Sequence, residues 1–326
     1  MRAPEFWRRD GGALGEVLAP LGWCYGLATR VRMAWVRPWK PPVPVLCVGN
    51  LVAGGAGKTP VVLSLGAYLG QRGYKVHFLG RGYGGTAAGP HRVDPESDAA
   101  AVGDEALLLA RAQPTWISRD RIAGVRAAAE GADLIVMDDG FQNPSVVKDF
   151  SVLVVDGRYG FGNGHLIPAG PLRETVQSGL GRAHALVVIG DDEAGVENNP
   201  AVAGKGLPVL KASVRPGSEA EDLGGKPVFA FAGIGDPGKF FATLKKIGCE
   251  IRGTAVFSDH HRFTEDEIGR LKSQAVETGA QLVTTEKDAV RLPRAARDGI
   301  EVLTISLQWA DETSLDAALR PLFDRL

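Results

Sequence analysis

The segment Ala53-Gly-Gly-Ala-Gly-Lys-Thr59 follows a short apolar run, Pro44 to Gly49, and opens a helical pattern from Thr59 to Gln71. A strand, a glycine turn and a helix in that order let successive backbone N–H groups wrap phosphates at a helix N-terminus. Gly54, Gly55, Ala56, Gly57, Lys58, Thr59 and Pro60 form this cradle; Lys58 would reach the outer phosphates and the Thr59 hydroxyl would bind Mg²⁺. Val52 occupies the position where the strict form of the loop has glycine, so the segment is of the GGxGKT subtype. The apolar run Leu134 to Met137 leads into Asp138 and Asp139, a carboxylate pair placed to orient the Mg²⁺ shell. No guanine-reading NKxD segment is present, since Thr285-Glu-Lys-Asp288 has its lysine out of place. ATP is therefore favoured over GTP.

Further polar groups exceed what ATP hydrolysis alone needs. Asp104 and Glu105 start a helix, where carboxylates also complement the helix dipole. His260 lies in Asp259-His-His261 ahead of another helix. Arg81 and Tyr83 sit in a flexible turn, Gly80 to Gly85, and a long glycine- and proline-rich loop spans residues 160–174. Long structured loops beside a nucleotide site commonly carry function.

Positioning these groups requires alternating strands and helices. Strands are predicted at Lys75 to Gly80, Thr115 to Ser118, Asp133 to Met137, Ser151 to Val155 and Ala185 to Ile189, with helices at Gly103 to Ala112 and Arg121 to Glu130. Continuous apolar strands separated by helices imply a parallel sheet covered on both faces. A second series follows a proline- and glycine-rich stretch. It has strands at Val228 to Ala232, Ile251 to Phe257, Gln281 to Thr284 and Val302 to Ser306, with helices at Pro237 to Ile247, Glu265 to Thr278 and Asp311 to Arg325. Thr264 and Glu267 make a capping box for the middle helix. The expected division is a first domain, 41–213, and a smaller α/β domain, 214–326, closing over the nucleotide. The strand near 209–214 is a candidate partner for the one near 302–308.

The chain has 326 residues, 37 basic against 38 acidic, and 44% hydrophobic composition, which suits a globular protein and gives no global field for nucleic acid. Three scattered cysteines argue against a disulfide framework or zinc site. Residues 1–40 differ: seven basic groups against three acids, and four of the chain's six tryptophans. Leu14, Val17, Leu18, Leu21, Tyr25 and Ala28 recur at helical spacing and form one apolar face. The uncharged run Val17 to Thr29 has 13 residues, against the roughly 20 needed to span a bilayer. A helix lying in an anionic membrane interface is the expectation, with packing on the protein's own core as its alternative. A signal peptide is set aside, because the nucleotide motif begins just downstream.

The motifs GGAGKTP, RGYGG, GDEALLLA, DDGFQ, GNGHLIPAGPLRE, DHHRF and VTTEKDAVRL occur in that order. The set resembles the tetraacyldisaccharide 4'-kinase (lipid A 4'-kinase) family, from the basic amino-terminal helix to about residue 292. Asn143 stands where the family often has histidine, and Gly80 where it often has serine.

The resemblance implies a P-loop NTPase-like three-layer α/β/α domain with a second, smaller α/β domain. It implies transfer of the ATP γ-phosphoryl group to the 4'-hydroxyl of a tetraacylated glucosamine disaccharide 1-phosphate at the cytoplasmic face of the inner membrane. Asp104 matches the family's base, His260 its assistant, and Glu105 a Mg²⁺ ligand alongside Thr59 and Asp139. Arg81, Tyr83, Arg119 and Arg121 are candidates for the acceptor's sugar and phosphate, because arginine forks suit phosphate. Two rival readings are a membrane-associated partitioning-type ATPase switch and a soluble metabolite kinase. The first lacks the lysine expected at Ala53, and the second leaves the basic, tryptophan-rich segment unexplained.

Overall fold

The computed structural model describes residues 4–8 and 12–326; Arg2, Arg9 and Asp10 of the basic segment lie outside them. Thirteen strands among the described residues make two sheets. They are β1 (Val45–Gly49), β2 (Val76–Gly80), β3 (His91–Arg92), β4 (Thr115–Ile117), β5 (Leu134–Asp138), β6 (Phe150–Asp156), β7 (Ala185–Ile189), β8 (Val209–Pro216), β9 (Pro227–Ala232), β10 (Glu250–Val256), β11 (Gln281–Thr285), β12 (Ile300–Leu303) and β13 (Ile305–Trp309). The large sheet has the order β13-β8-β7-β6-β1-β5-β2-β4-β3 and the small one β10-β9-β11-β12.

Strands β1, β5, β6 and β7 are buried and almost entirely apolar because helices cover both faces of the large sheet. On one face Val61, Val62, Leu65 and Leu69 of the helix Lys58–Gln71 pack with Leu315, Leu319 and Leu322 of the last helix, Glu312–Phe323. On the other, Val125 and Ala128 of the helix Arg121–Ala128 meet Leu79, Ile135 and Met137. β1 lies between β5 and β6, with Val48 opposite Asp138, which sets the glycine loop beside the Asp138–Asp139 carboxylates. Ligands of parallel α/β sheets bind at such carboxyl ends.

The two sheets are tied together near their ends. One strand was expected over Val302 to Ser306, but the run breaks at Thr304: β12 pairs with β11 in the small sheet, and β13 pairs antiparallel with β8 in the large one. The last helix then packs on the large sheet's core. Residues from β13 onward therefore return to the large unit, which the proposed division at 213 had assigned to the smaller one. Asp311 caps the last helix, and the Thr264–Glu267 capping box forms as predicted.

The amino-terminal helix spans Gly12–Trp35. The apolar stripe faces outward, as in the interfacial expectation and not as in the core-packing alternative. Gly15, Ala19, Gly22 and Gly26 are buried, whereas Leu14, Val17, Leu21, Trp23, Leu27 and Trp35 are exposed. The helix backbone rests on the loop 163–169, so closely that a Cβ on Gly22 would lie 2.9 Å from the Leu166 carbonyl oxygen and one on Gly26 2.6 Å from its Cδ1. Trp7 Nε1 donates to the Pro168 carbonyl at 3.0 Å, and Asn163 donates through Nδ2 to the Phe6 carbonyl at 2.9 Å. The glycine- and proline-rich loop is thus the seat of the amino-terminal segment.

Candidate active site

The P-loop begins where β1 ends. Asn50 is fully buried; its Nδ2 donates to the Val52 carbonyl at 2.8 Å, and its Oδ1 accepts from Lys58 Nζ at 3.3 Å. Gly57 caps the helix with φ 80°, a conformation that L side chains rarely adopt. A Cβ on Gly54 or Gly55 would meet nothing within 4 Å, so the space in front of the loop is open, as an anion site requires. Thr59 and Pro60 lie in the first helical turn, and Ala56 is buried beneath the loop.

Lys58 Nζ is 3.5 Å from Asp139 Oδ1, and Arg173 Nη1 lies 3.2 Å from the same oxygen. Burial works to raise the Asp139 pKa, but Lys58 and Arg173 outweigh it and hold the carboxyl below its ordinary value. Asp138 behaves oppositely. Burial, reinforced by the negative charge of Glu105, pushes it up to about 7, and its Oδ1 is buried without a hydrogen-bond partner. An orphaned carboxylate oxygen beside two further carboxylates is the environment that a divalent cation relieves. Among the described residues no three side chains form a metal cluster. Thr59, Asp138, Asp139 and Glu105 suit a Mg²⁺ that completes its shell with phosphate oxygens and water.

Asp104 and His260 come from different sheets. Asp104 opens the helix Asp104–Ala110 after β3, and His260 follows β10. His260 Nδ1 donates to Asp104 Oδ2 at 2.9 Å, while Asp104 Oδ1 accepts from the Glu105 amide at 2.9 Å. Burial would raise the Asp104 pKa, yet His260, Lys287 and Arg291 hold it below the usual carboxylate range. Lys287 Nζ reaches Glu105 Oε1 at 3.2 Å, and these carboxylates raise the lysine pKa against the opposing effect of burial. His260 (φ 59°) and Asp139 (φ 50°) are the two non-glycine residues with left-handed backbone among those described. Such strain collects at functional sites.

The four acceptor candidates separate. Arg81 and Tyr83 are exposed, and the Tyr83 ring meets His260 edge-on with centroids 5.4 Å apart. Arg119, also exposed, donates to the Gly85 carbonyl at 3.5 Å. Arg121 is only 4% exposed, and its Nη2 donates to the carbonyls of Asp138 and Asp139 at 3.4 and 3.5 Å. It props the backbone of the carboxylate turn, and its buried Nη1 has no hydrogen-bond partner. Asn143 closes a turn by accepting from the Ser145 amide and hydroxyl.

Sequence reasoning left several site residues without a role. Gln142 donates to the Asn50 carbonyl at 2.8 Å and to Glu174 Oε1 at 3.2 Å; Arg182 pairs with Glu174 and stacks over Phe141. Arg173, Gln142 and Glu174 fall inside the PLRE and DDGFQ motifs, and Lys287 and Arg291 inside VTTEKDAVRL. The signal was the motif, and their partners lay beyond local spacing.

The family model for tetraacyldisaccharide-1-P 4'-kinase matches residues 14–324. The chain belongs to the tetraacyldisaccharide 4'-kinase family. A tetraacyldisaccharide 4'-kinase of Paramagnetospirillum magneticum is 53% identical over all of this chain and 99% of that relative. One from Parvibaculum lavamentivorans is 51% identical over 99% of this chain and 94% of the relative. The fold is also that of the family: a crystal structure of LpxK from Aquifex aeolicus in complex with ATP superposes with a TM-score of 0.76 at 27% identity, covering 95% of this chain and 99% of that one. The P-loop NTPase-like reading of the fold and the family resemblance both hold.

Proposed function

We propose that the protein is an ATP-dependent kinase that phosphorylates the 4'-hydroxyl of a tetraacylated glucosamine disaccharide 1-phosphate, the lipid A precursor. The observation that carries this reading is one continuous cluster joining a phosphate-binding lysine to an acid–histidine pair. Lys58 contacts Asp139, Asp138 feels Glu105, Glu105 adjoins Asp104, and Asp104 receives His260. A partitioning-type ATPase has no need of the second half of that cluster.

Phosphoryl transfer passes through a loose transition state, so positioning and charge neutralisation outweigh base strength. Lys58 and the loop amides hold the ATP phosphates in line with the acceptor. Asp104, ionised at neutral pH, orients the acceptor hydroxyl and, with His260, takes its proton as the new P–O bond forms and the bond from the γ-phosphorus to the bridging oxygen breaks, releasing ADP. Thr59, Glu105 and the Asp138–Asp139 pair would hold Mg²⁺, which would neutralise the phosphate charge. Closure of the smaller unit brings His260 and Lys287 over the cleft and excludes water that would otherwise take the phosphoryl group. Arg81, Tyr83 and Arg119 border the cleft where sugar and phosphate of the acceptor would lie.

The lipid acceptor stays in the bilayer, so the enzyme docks peripherally on the anionic cytoplasmic surface of the inner membrane. No helix among the described residues is long and apolar enough to cross a membrane. Exposed Val17, Leu21, Trp23, Leu27 and Trp35 support docking by the helix Gly12–Trp35, with Arg30 and Arg32 attracted to anionic lipid. A groove of about 440 Å³ lined by Trp23, Leu27, Arg30, His165 and Leu166 gives an acyl chain a place beside the helix.

The test supplies Mg-ATP labelled at the γ position together with the acylated disaccharide. Label in the lipid supports the kinase. Label released only as inorganic phosphate supports an ATPase, and label in a water-soluble sugar supports a metabolite kinase; either result overturns the reading.

A further inference from the structure

The motif VTTEKDAVRL runs from β11 into a turn capped by Thr285, and it faces the Asp104 end of the cleft. Arg291 stands at its centre, with a side chain only 4% exposed. One guanidinium there joins five partners. Nη2 donates to Asp288 Oδ1 at 2.8 Å and to the Gly233 carbonyl at 3.0 Å, Nη1 donates to the His261 carbonyl at 3.1 Å, and Nε donates to the Lys287 carbonyl at 3.1 Å and lies 3.4 Å from Asp104 Oδ2 as an ion pair. Asp288, fully buried, also accepts from the Gly233 amide at 2.9 Å and from Thr285 Oγ1 at 2.6 Å.

These contacts converge on the backbone of His260. Its amide donates to the Gly233 carbonyl at 3.1 Å, the same carbonyl that Arg291 holds, and its left-handed φ of 59° has to be imposed by its surroundings. The neighbouring His261 carbonyl is held from the other side by Nη1. A planar, always-charged fork with five donors can do this and reach a carboxylate at once, whereas a lysine ammonium cannot.

We infer that Arg291, fixed by Asp288, is a positioning residue for acceptor activation: it locks the strained His260 turn and the Asp104 carboxylate into one geometry when the two units meet. The arginine touches neither nucleotide nor acceptor in this role. It acts through His260 and Asp104, and the inference rests on the proposed roles of those two residues. Its consequence is specific. Loss of the fork misplaces the acid–histidine pair while leaving the P-loop, some distance away around Lys58, intact.

The experiment is steady-state kinetics of the full-length enzyme with Mg-ATP and the acylated disaccharide in mixed micelles, for R291K, D288N, D104A, H260A and the double variant R291K/D104A. R291K should lower kcat by about 30- to 100-fold, the scale of a misplaced catalytic group, with KM for Mg-ATP within about threefold of wild type. D288N, which keeps one acceptor oxygen and the side-chain shape, should show the same split with a loss of about tenfold. Because Arg291 acts through Asp104 and its partner His260, the double variant should fall no more than about threefold below D104A alone. Retained Mg-ATP affinity in R291K and D288N establishes that both are folded, and D288N carries the test should R291K fail to fold. A kcat for both variants within about threefold of wild type overturns the inference, as does a raised KM for ATP at unchanged kcat, or losses that multiply in the double variant. Full activity in D104A and H260A overturns the parent assignment and this inference together. Lost activity in those two with full activity in R291K and D288N overturns this inference alone.

Discussion

His260 Nδ1 sits 2.9 Å from Asp104 Oδ2, although 156 positions separate them in the chain. The contact bridges the two sheets, so the acid–histidine pair exists only when the smaller unit is seated on the larger. Everything that steadies the His260 ring should therefore show in turnover.

Tyr83 is one such support, its ring edge against His260 at 5.4 Å. An aromatic contact of this kind contributes about 0.5–1.5 kcal/mol, which corresponds to a loss of roughly two- to twelvefold. We expect Tyr83→Ala to lower kcat within that range and Tyr83→Phe to match wild type. Equal losses in both would assign the phenolic hydroxyl, not the ring, to the acceptor.

The helix Gly12–Trp35 gives a second prediction. Trp23 is 71% exposed and Leu27 63%, so replacing both with serine removes little from the folded core. If these side chains enter a membrane interface, each loses about 1.5–3 kcal/mol of favourable burial there. Co-sedimentation with anionic vesicles should fall at least tenfold while the melting temperature stays put. Unaltered vesicle binding would dismiss the helix as the docking element.

Packing at the same helix gives a third. Gly22→Leu places a Cβ within 2.9 Å of the Leu166 carbonyl oxygen, a contact that backbone cannot yield cheaply. Overpacking of this sort costs about 1–3 kcal/mol. Chemical denaturation should register that loss, and Gly269→Ala, on a helix where a Cβ meets nothing within 4 Å and the backbone is not left-handed, should not.

A fourth concerns pH. Lys239 of the smaller unit pairs with Asp156 at the end of β6. Burial favours a higher Asp156 pKa, but the hydrogen bond and charge of Lys239 prevail and hold it below the ordinary carboxylate value. A carboxyl whose folded pKa lies below its unfolded one stabilises the fold above the unfolded value of about 3.9 and loses that contribution as pH falls through the folded pKa. The melting-temperature gap between wild type and Lys239→Met should be full near neutrality and close progressively below pH of about 4. A gap that persists undiminished at pH of about 2 would contradict the pairing.

Much of this architecture was legible where signals are local. The apolar strand, the glycine turn and Gly-Lys-Thr announce β1, the P-loop and its helix within 27 residues, 45–71. The Thr264–Glu267 box marks a helix start within four residues. What failed to show was tertiary. Thr304 divides β12 from β13 without interrupting the apolar pattern, because each strand meets its own sheet. The amino-terminal helix turns glycines inward, since close backbone approach to Leu166 selects for the absence of a side chain rather than for hydrophobicity. Arg121 reads as a phosphate fork by type, and its bonds to the carbonyls of Asp138 and Asp139 come from tertiary placement that no spacing encodes. Arg291 and Gln142 were visible only as letters within motifs, because their partners come from distant loops.

The most direct examination of the account is single-turnover transfer from Mg-ATP to the acylated disaccharide by Asp104→Ala, with nucleotide affinity measured on the same preparation. Removing a group that handles the acceptor proton should slow the chemical step by about 10²–10⁴-fold. Affinity for Mg-ATP should stay within about threefold, since Lys58 and the loop amides are untouched. A wild-type rate of transfer in that variant would contradict the central claim.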